Sequence, residues 1–119
     1  MKKLKIGVDL DGTLAYYDHW RGIEHIGKPI PRMYHRIMRW IGEGHTVIIF
    51  SARADTPESI RYIKQWLKRW NLPDLEVTNI KGYNLDQYWD DRAIQVVRNT
   101  GLTIEEKLKN EEIFKNGGF

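Results

Sequence analysis

Hydrophobic residues gather in two short, nearly continuous runs in the first half of the chain, at residues 4–10 and 45–50. Such runs are typical of strands buried in a parallel sheet, and the first should lie near its centre. Two further candidate strands follow at residues 75–80 and 85–89. The pattern therefore predicts four strands.

Helical spacing of apolar residues separates these strands. A first helix is predicted to begin near Pro31 and to end at Gly44. A second begins at Thr56-Pro57, where threonine is a suitable cap and proline suits the first helical position. The two apolar stripes consist of Met33, Ile37, Trp40 and Ile41, and of Ile60, Ile63, Leu67 and Trp70.

The C-terminal part of the chain predicts two more helices. Residues 92–99 form the first of them, and Thr103 and Glu106 form a capping box for a last helix that runs to about residue 114. The inward-facing residues of the 92–99 helix are expected to be Ala93, Ile94 and Val97. Residues 116–119 should form a frayed tail.

Strands that alternate with helices indicate an α/β fold. We expect a three-layer α/β/α, Rossmann-like arrangement, in which helices cover both faces of a mostly parallel sheet. The 119 residues suit a single domain that spans the whole chain, residues 1–119. Residues 15–30 lack a helical period and are interrupted by glycine and proline, so we expect a loop or small hairpin, here called the flap.

The composition narrows the class of protein. The chain contains no cysteine, which excludes disulfides and thiolate metal sites, and no apolar run approaches the ~20 residues of a membrane span. We therefore expect a cytoplasmic protein that does not associate with membranes. The net charge of +3 is mildly basic and permits an anionic substrate.

Polar side chains of particular kinds follow each predicted strand. The ends of parallel strands lie side by side, so these groups should surround one crevice. They are Asp9 and Asp11 at the end of the first strand, Ser51 after the second, Lys81 after the third, and Asp90 and Asp91 after the fourth. The sequence therefore predicts a cluster of acids beside one hydroxyl and one ammonium group.

Clustered carboxylates repel one another unless a cation lies between them, and carboxylate oxygens suit Mg²⁺. We predict Mg²⁺ as the cofactor, held directly by Asp9, Asp90 and the backbone carbonyl of Asp11, with Asp91 just outside. Asp9 can attack phosphorus to form an aspartyl-phosphate, while Asp11 acts as general acid and base. Ser51 and Lys81 then bind the non-bridging phosphoryl oxygens.

The order of these residues resembles the haloacid dehalogenase-like hydrolase superfamily, whose members are mostly phosphatases. The matching residues are Asp9-Leu-Asp11-Gly-Thr-Leu14, Ser51, Lys81 and Asp90-Asp91, so the resemblance covers residues 5 to about 97. It implies that Asp9 is the nucleophile, Asp11 the acid/base, Ser51 and Lys81 the phosphate-binding groups, and Asp90 and Asp91 metal-site acids. The short gap between Lys81 and Asp90, and the bulk of Trp89, depart from the pattern of the superfamily.

Many members of that superfamily carry a cap domain over the site, whereas this chain has room only for the flap. We expect a minimal member without a cap, whose open crevice admits bulky substrates or is shielded by a second copy of the chain. Further candidates for substrate binding are Gly12, Ala52 and Arg53, together with His19, Trp20, Arg21 and His25 of the flap.

Other functions stay open at this point. Asp90-Asp91-Arg92, with Gly101-Leu102 further on, also resembles the phosphatase module of polynucleotide kinase-phosphatases, which implies a nucleotide or a 3′- or 5′-phosphorylated nucleic-acid end as substrate. A receiver-like module that holds phosphate without turnover is a second possibility. A basic nucleic-acid-binding protein with incidental acids is a third.

Overall fold

The computed structural model describes residues 2–115, and the side chains of residues 2–111. Four parallel strands form one sheet in the order β3-β2-β1-β4. The strands are β1 (Lys5–Asp9), β2 (Thr46–Phe50), β3 (Glu76–Thr78) and β4 (Gln87–Trp89); the helices are α1 (Pro31–Gly42), α2 (Pro57–Arg69) and α3 (Ile104–Lys115). The predicted α/β fold with a parallel sheet is confirmed, and β1 is one of its two central strands.

Helices α1 and α2 lie on the same face of the sheet. They lead from β1 to β2 and from β2 to β3 in one direction, and right-handed crossovers place both on one side. The hydrophobic core between this face and the two helices confirms the placement. It is built around Ile6, Val8, Val47 and Ile49 of the sheet, Met33, Ile37 and Trp40 of α1, and Ile63, Trp66 and Leu67 of α2.

Within residues 2–115, α1 and α2 are the helices that contact the strands, and no helix of this part of the chain lies against the opposite face of the sheet. The chain reverses direction to reach β4 on the far side of β1, and the connection, residues 79–86, is too short for a helix. The side chains of Leu85 and Tyr88 cover Gly7 on this face instead, and the Tyr88 ring packs edge-on against Phe50.

Helix α2 begins with the threonine cap and the proline that the sequence predicts. The Thr56 hydroxyl accepts a hydrogen bond from the Ser59 backbone N–H at 3.1 Å, and Pro57 occupies the first helical position, where no N–H partner is needed. Trp66 and Leu67 of this helix are buried in the core. The cap therefore fixes where α2 begins, directly after the loop that follows β2.

Residues 92–99 are not helical, which corrects the prediction for this segment. The Asp90 carboxylate accepts a hydrogen bond from the Arg92 backbone N–H at 2.7 Å and bends the chain away. The chain then turns back on itself, with the Val97 N–H donating to the Leu102 carbonyl at 2.7 Å. Ile94 was expected to point inward but is 76% exposed.

The last helix forms as predicted, since the Thr103 hydroxyl accepts from the Glu106 backbone N–H at 3.1 Å. Within residues 2–115, α3 lies beside no strand and no other helix. The predicted tail, residues 116–119, lies outside the described residues. No helix in the described part of the chain combines the length and the apolar character needed to cross a lipid bilayer.

The flap is a loop that is closed at its base and anchored to helix α2. The Tyr16 N–H donates to the Lys28 carbonyl at 2.8 Å, and the Ile30 N–H donates to the Leu14 carbonyl at 2.7 Å. The buried Trp66 donates its indole N–H to the Gly27 carbonyl at 2.8 Å, which ties the flap to α2. The flap is therefore held in one position against the body of the protein.

Candidate active site

Three carboxylates meet where β1 and β4 end side by side. Asp9 is the last residue of β1, and Asp90 and Asp91 follow Trp89, which pairs with Val8 in the sheet register. One oxygen from each of Asp9, Asp90 and Asp91 lies within 4.8 Å of the other two. The prediction that the acids from the first and last strands converge is therefore confirmed in the geometry.

The Asp9 carboxyl is the most strongly perturbed acid of this group. Its pKa is raised from 3.8 to about 7, first by burial, then by the neighbouring charge of Asp90, a side-chain hydrogen bond with Asp91 and the charges of Asp91 and Asp11. The Thr13 hydroxyl lies between two of the acids, 3.4 Å from Asp9 Oδ2 and 3.3 Å from Asp91 Oδ1. Without a cation, the folded protein thus tends to hold a proton at this site near neutral pH.

Gly12 is required by the closeness of the loop to Asp91. Its φ is +89°, and a Cβ atom at this position would lie 2.6 Å from Asp91 Oδ2. Gly12 thus lets the chain pass directly under the carboxylate, but it does not line the cavity in the way expected of a substrate-binding residue.

The acid cluster fits a small, hard cation. Mg²⁺ binds oxygens at about 2.0–2.1 Å in an octahedral arrangement, so opposite ligands lie about 4.2 Å apart and adjacent ones closer. Three carboxylate oxygens within 4.8 Å of one another are compatible with this geometry. Asp9, Asp90 and Asp91 are therefore the residues that can hold a metal ion through their carboxylates.

The Asp11 carboxylate is not one of these three ligand groups and is bound instead by Arg53. The guanidinium donates twice, from Nε to Oδ2 at 2.6 Å and from Nη2 to Oδ1 at 2.9 Å. The Arg53 side chain is only 6% exposed, and it also donates from Nη1 to the Gly22 carbonyl of the flap at 3.2 Å. A charge-assisted, bidentate ion pair of this kind fixes the orientation of both side chains.

This ion pair was not predicted, although both residues were singled out. Asp11 and Arg53 are 42 positions apart, and no pattern along the chain relates them. The only sequence signal is that each follows a parallel strand end by two or three residues, which places both at the same edge of the sheet. The pairing restrains Arg53, which was expected to bind substrate directly.

A cavity of about 700 Å³ opens above the acids. Its walls include the predicted residues Asp9, Asp11, Ser51, Ala52, Arg53, Asp90 and Asp91. The flap contributes Tyr17, Trp20 and Ile23, and the loop after β4 contributes Arg92 and Ala93. Ser51 is buried, and its hydroxyl oxygen accepts a hydrogen bond from the Arg53 backbone N–H at 3.1 Å, which leaves the hydroxyl hydrogen available as a donor.

Lys81 does not line this cavity. Its Nζ lies 5.5 Å from the centroid of the Tyr88 ring, and the side chain is exposed. The reason is the short connection to β4, which runs over the sheet face that Leu85 and Tyr88 cover. Among the flap residues proposed for substrate contact, only Trp20 lines the cavity; His19 and Arg21 pair with Asp18.

Comparison with known proteins supports the fold. No protein-family model matches the chain, and no curated protein matches it. A solved structure described as a conserved protein coded by a locus of Bacteroides thetaiotaomicron is similar, with 21% identity, a TM-score of 0.61 and 93% of each chain covered. At this level of identity the likeness shows a shared α/β architecture.

Proposed function

We propose that the protein is a Mg²⁺-dependent phosphatase that hydrolyses phosphomonoesters through an aspartyl-phosphate on Asp9. The observation that carries the proposal is the meeting of Asp9, Asp90 and Asp91 in the lining of an open cavity. The resemblance of these residues to the haloacid dehalogenase-like superfamily supports it as well. We also propose a cytoplasmic location, with which the cysteine-free sequence is compatible.

In this proposal Asp9 acts as the nucleophile, and its position in the cavity lining supports that role. One of its oxygens forms a bond to phosphorus while the bond from phosphorus to the ester oxygen breaks. Water then attacks the phosphorus of the acyl phosphate, which releases inorganic phosphate and restores the carboxylate. A Mg²⁺ ion held by the three acids would supply positive charge that offsets the carboxylates and the phosphoryl oxygens.

Asp11 serves as general acid and base in this proposal. Each carboxylate oxygen has two lone pairs, so the two bonds from Arg53 leave room for a proton on Asp11. Asp11 gives that proton to the departing alkoxide and later takes one from the attacking water. Arg53 acts as a positioning residue, because its two bonds fix the plane of the Asp11 carboxylate.

Two groups remain to bind the phosphoryl oxygens. The Ser51 hydroxyl donates from the cavity wall. Lys81 has a long, flexible stem, and it rests on the Tyr88 ring, which contacts the wall residue Phe50. We propose that its ammonium group moves from this ring to the phosphoryl oxygens when substrate binds.

The experiment that tests the function compares p-nitrophenyl phosphate hydrolysis in MgCl₂ and in EDTA. The proteins are the wild type, Asp9→Asn, and Asp55→Asn, a control that alters an exposed acid of the cavity rim. We expect Mg²⁺-dependent turnover in the wild type and the control, and a loss of at least about 10³-fold in Asp9→Asn. Full activity of Asp9→Asn would refute the nucleophile.

Mass spectrometry separates turnover from phosphate storage. Brief incubation with acetyl phosphate, followed by denaturation, should show a small, Mg²⁺-dependent fraction of singly phosphorylated protein that disappears when the donor is exhausted. Stoichiometric phosphorylation that persists for hours without release of phosphate would instead identify a receiver-like module and contradict the proposed hydrolysis.

A further inference from the structure

The flap presents one aromatic ring to the cavity in a fixed orientation. Trp20 is 55% exposed and belongs to the cavity wall, so it is not part of the hydrophobic core. The Arg53 guanidinium stacks on the ring, with its central carbon 4.7 Å from the ring centroid. With one ring face covered and more than half of the side chain exposed, the other face is open to the cavity.

The support beneath this ring is rigid. Arg53 is buried and held by its two bonds to Asp11 and by its bond to the Gly22 carbonyl, two residues after Trp20. At the tip of the flap, the Asp18 carboxylate accepts a bond from the Arg21 guanidinium at 2.7 Å, which restrains the segment on either side of Trp20. Little conformational freedom is therefore lost when a ligand binds to the ring, and such preorganisation favours affinity.

The Trp20 ring lies close to Asp11, the proposed acid/base. Arg53 contacts the Trp20 ring on one side and the Asp11 carboxylate on the other, so a single guanidinium group separates the ring from the proposed acid/base. A ligand whose phosphate lies over Asp9 would have its leaving group beside Asp11, and the adjoining part of that group would reach the open face of Trp20. Tyr17 and Ile23 add apolar surface along the same wall.

We propose that this subsite takes a nucleobase, so that the substrate is a phosphorylated nucleoside, either free or at the end of a single strand. A flat, exposed indole recognises planar rings by stacking, and such stacking tolerates any of the bases. Arg92, an exposed cation of the same cavity, can pair with a further phosphate of a strand. The inference rests on the proposed phosphatase activity for the position of the phosphate, but the stacking contact can be measured without turnover.

The first experiment compares two substrates that differ only in the base, thymidine 5′-monophosphate and 2-deoxyribose 5-phosphate, in MgCl₂ with the full chain. We expect Trp20→Leu to raise KM for the nucleotide about tenfold, equivalent to about 1.4 kcal/mol, with kcat little changed. KM for the sugar phosphate should change less than about twofold, and Trp20→Phe should recover most of the loss. Tyr83→Leu, at a fully exposed aromatic residue outside the cavity, is the matched control and should leave both substrates unaffected.

Two results would overturn the inference. Equal losses for both substrates in Trp20→Leu would mean that the ring only supports the fold or Arg53. Unchanged kinetics for the nucleotide would mean that the ring does not contact the base. In either case hydrolysis of the sugar phosphate itself would leave the proposed phosphatase intact.

A binding measurement distinguishes a failure of the stacking subsite from a failure of the proposed phosphatase activity. Isothermal titration calorimetry of Asp9→Asn with the same two ligands should show about tenfold tighter binding of the nucleotide, and Trp20→Leu in that background should abolish the preference. Absence of any preference in Asp9→Asn would overturn the stacking subsite even if the wild type is an active phosphatase. A 5′-phosphorylated tetrathymidylate then identifies the source: preference for it over the mononucleotide supports a strand end, and the reverse supports a free nucleotide.

Discussion

Replacing Asp9 by asparagine should stabilise the metal-free protein while it removes the proposed nucleophile. The pKa of the Asp9 carboxyl is about 7 in the folded protein and 3.8 in the unfolded chain, because burial and the nearby acids disfavour its charge. Below pH 3.8 the carboxyl is protonated in both states and does not destabilise the fold. As the pH rises from 3.8 to about 7, the unfolded chain ionises first and the folded protein loses stability. At pH 8 the folded protein carries the whole cost of the buried charge, whereas asparagine carries none.

The size of the effect follows from the difference between these two pKa values. At about 1.4 kcal/mol for each pH unit, the difference sets an upper limit of about 4 kcal/mol. Asp9 is only partly buried, so solvent screening reduces this limit, and we expect about 1–2 kcal/mol. For a protein of this size, that gain corresponds to a rise in Tm of about 5 °C at pH 8. At pH 5 less than half of this gain should remain.

The assay is thermal unfolding followed by circular dichroism in EDTA, at pH 5 and pH 8, with Asp55→Asn as a control for the loss of an exposed carboxylate. Added MgCl₂ should raise the Tm of the wild type at pH 8, since a ligand that binds only the folded state stabilises it, and it should raise the Tm of Asp9→Asn much less. A variant that is less stable than the wild type at pH 8 in EDTA would refute the reasoning about the acid cluster.

Three further predictions concern other parts of the structure. Arg53→Ala leaves the Asp11 carboxylate without its partner and should lower the free energy of unfolding by about 3 kcal/mol in urea titrations, whereas a loss below about 1 kcal/mol would contradict the role of the ion pair. Lys81→Met should lower kcat/KM about 100-fold through the loss of one charge-assisted contact to phosphate, with Tyr83→Met unchanged in the same assay; equal activities would remove Lys81 from the site. Thr56→Ala removes the cap of α2 and should lower the urea midpoint by an amount equivalent to about 1 kcal/mol, and an unchanged midpoint would show that the cap contributes little.

The parts of the fold that were predicted correctly are those in which local pattern and tertiary packing agree. In α2 the cap, the proline and the apolar stripe all indicate the same helix, and the stripe packs into the core. Residues 92–99 have similar spacing but are almost all exposed, and the hydrogen bond from the Arg92 backbone N–H to the Asp90 carboxylate directs the chain elsewhere. Periodicity alone cannot reveal whether a partner surface exists.

The same distinction applies to the site. The meeting of Asp9 with Asp90 could be predicted, because the ends of neighbouring parallel strands must lie side by side. The Arg53 pair with Asp11 could not, because it depends on how two loops approach each other above the sheet. The position of Lys81 depends on the length of the connection to β4, which leaves its ammonium group on the Tyr88 ring.

Because the flap is anchored through backbone atoms, its ligand-contacting side chains can vary without displacing the acids of the site. Arg53 and Trp66 hold the flap through the carbonyl oxygens of Gly22 and Gly27, atoms that every amino acid supplies. Backbone shape limits the sequence at both glycines, since Gly22 has a φ of +101° and a side chain at Gly27 would collide with the Tyr16 carbonyl, while Ala15 and Ile26 are limited by their packing in the core. An exchange of the exposed flap residues 16–21 should therefore alter ligand choice and leave the acids in place, so this part of the loop can be randomised independently of the catalytic groups.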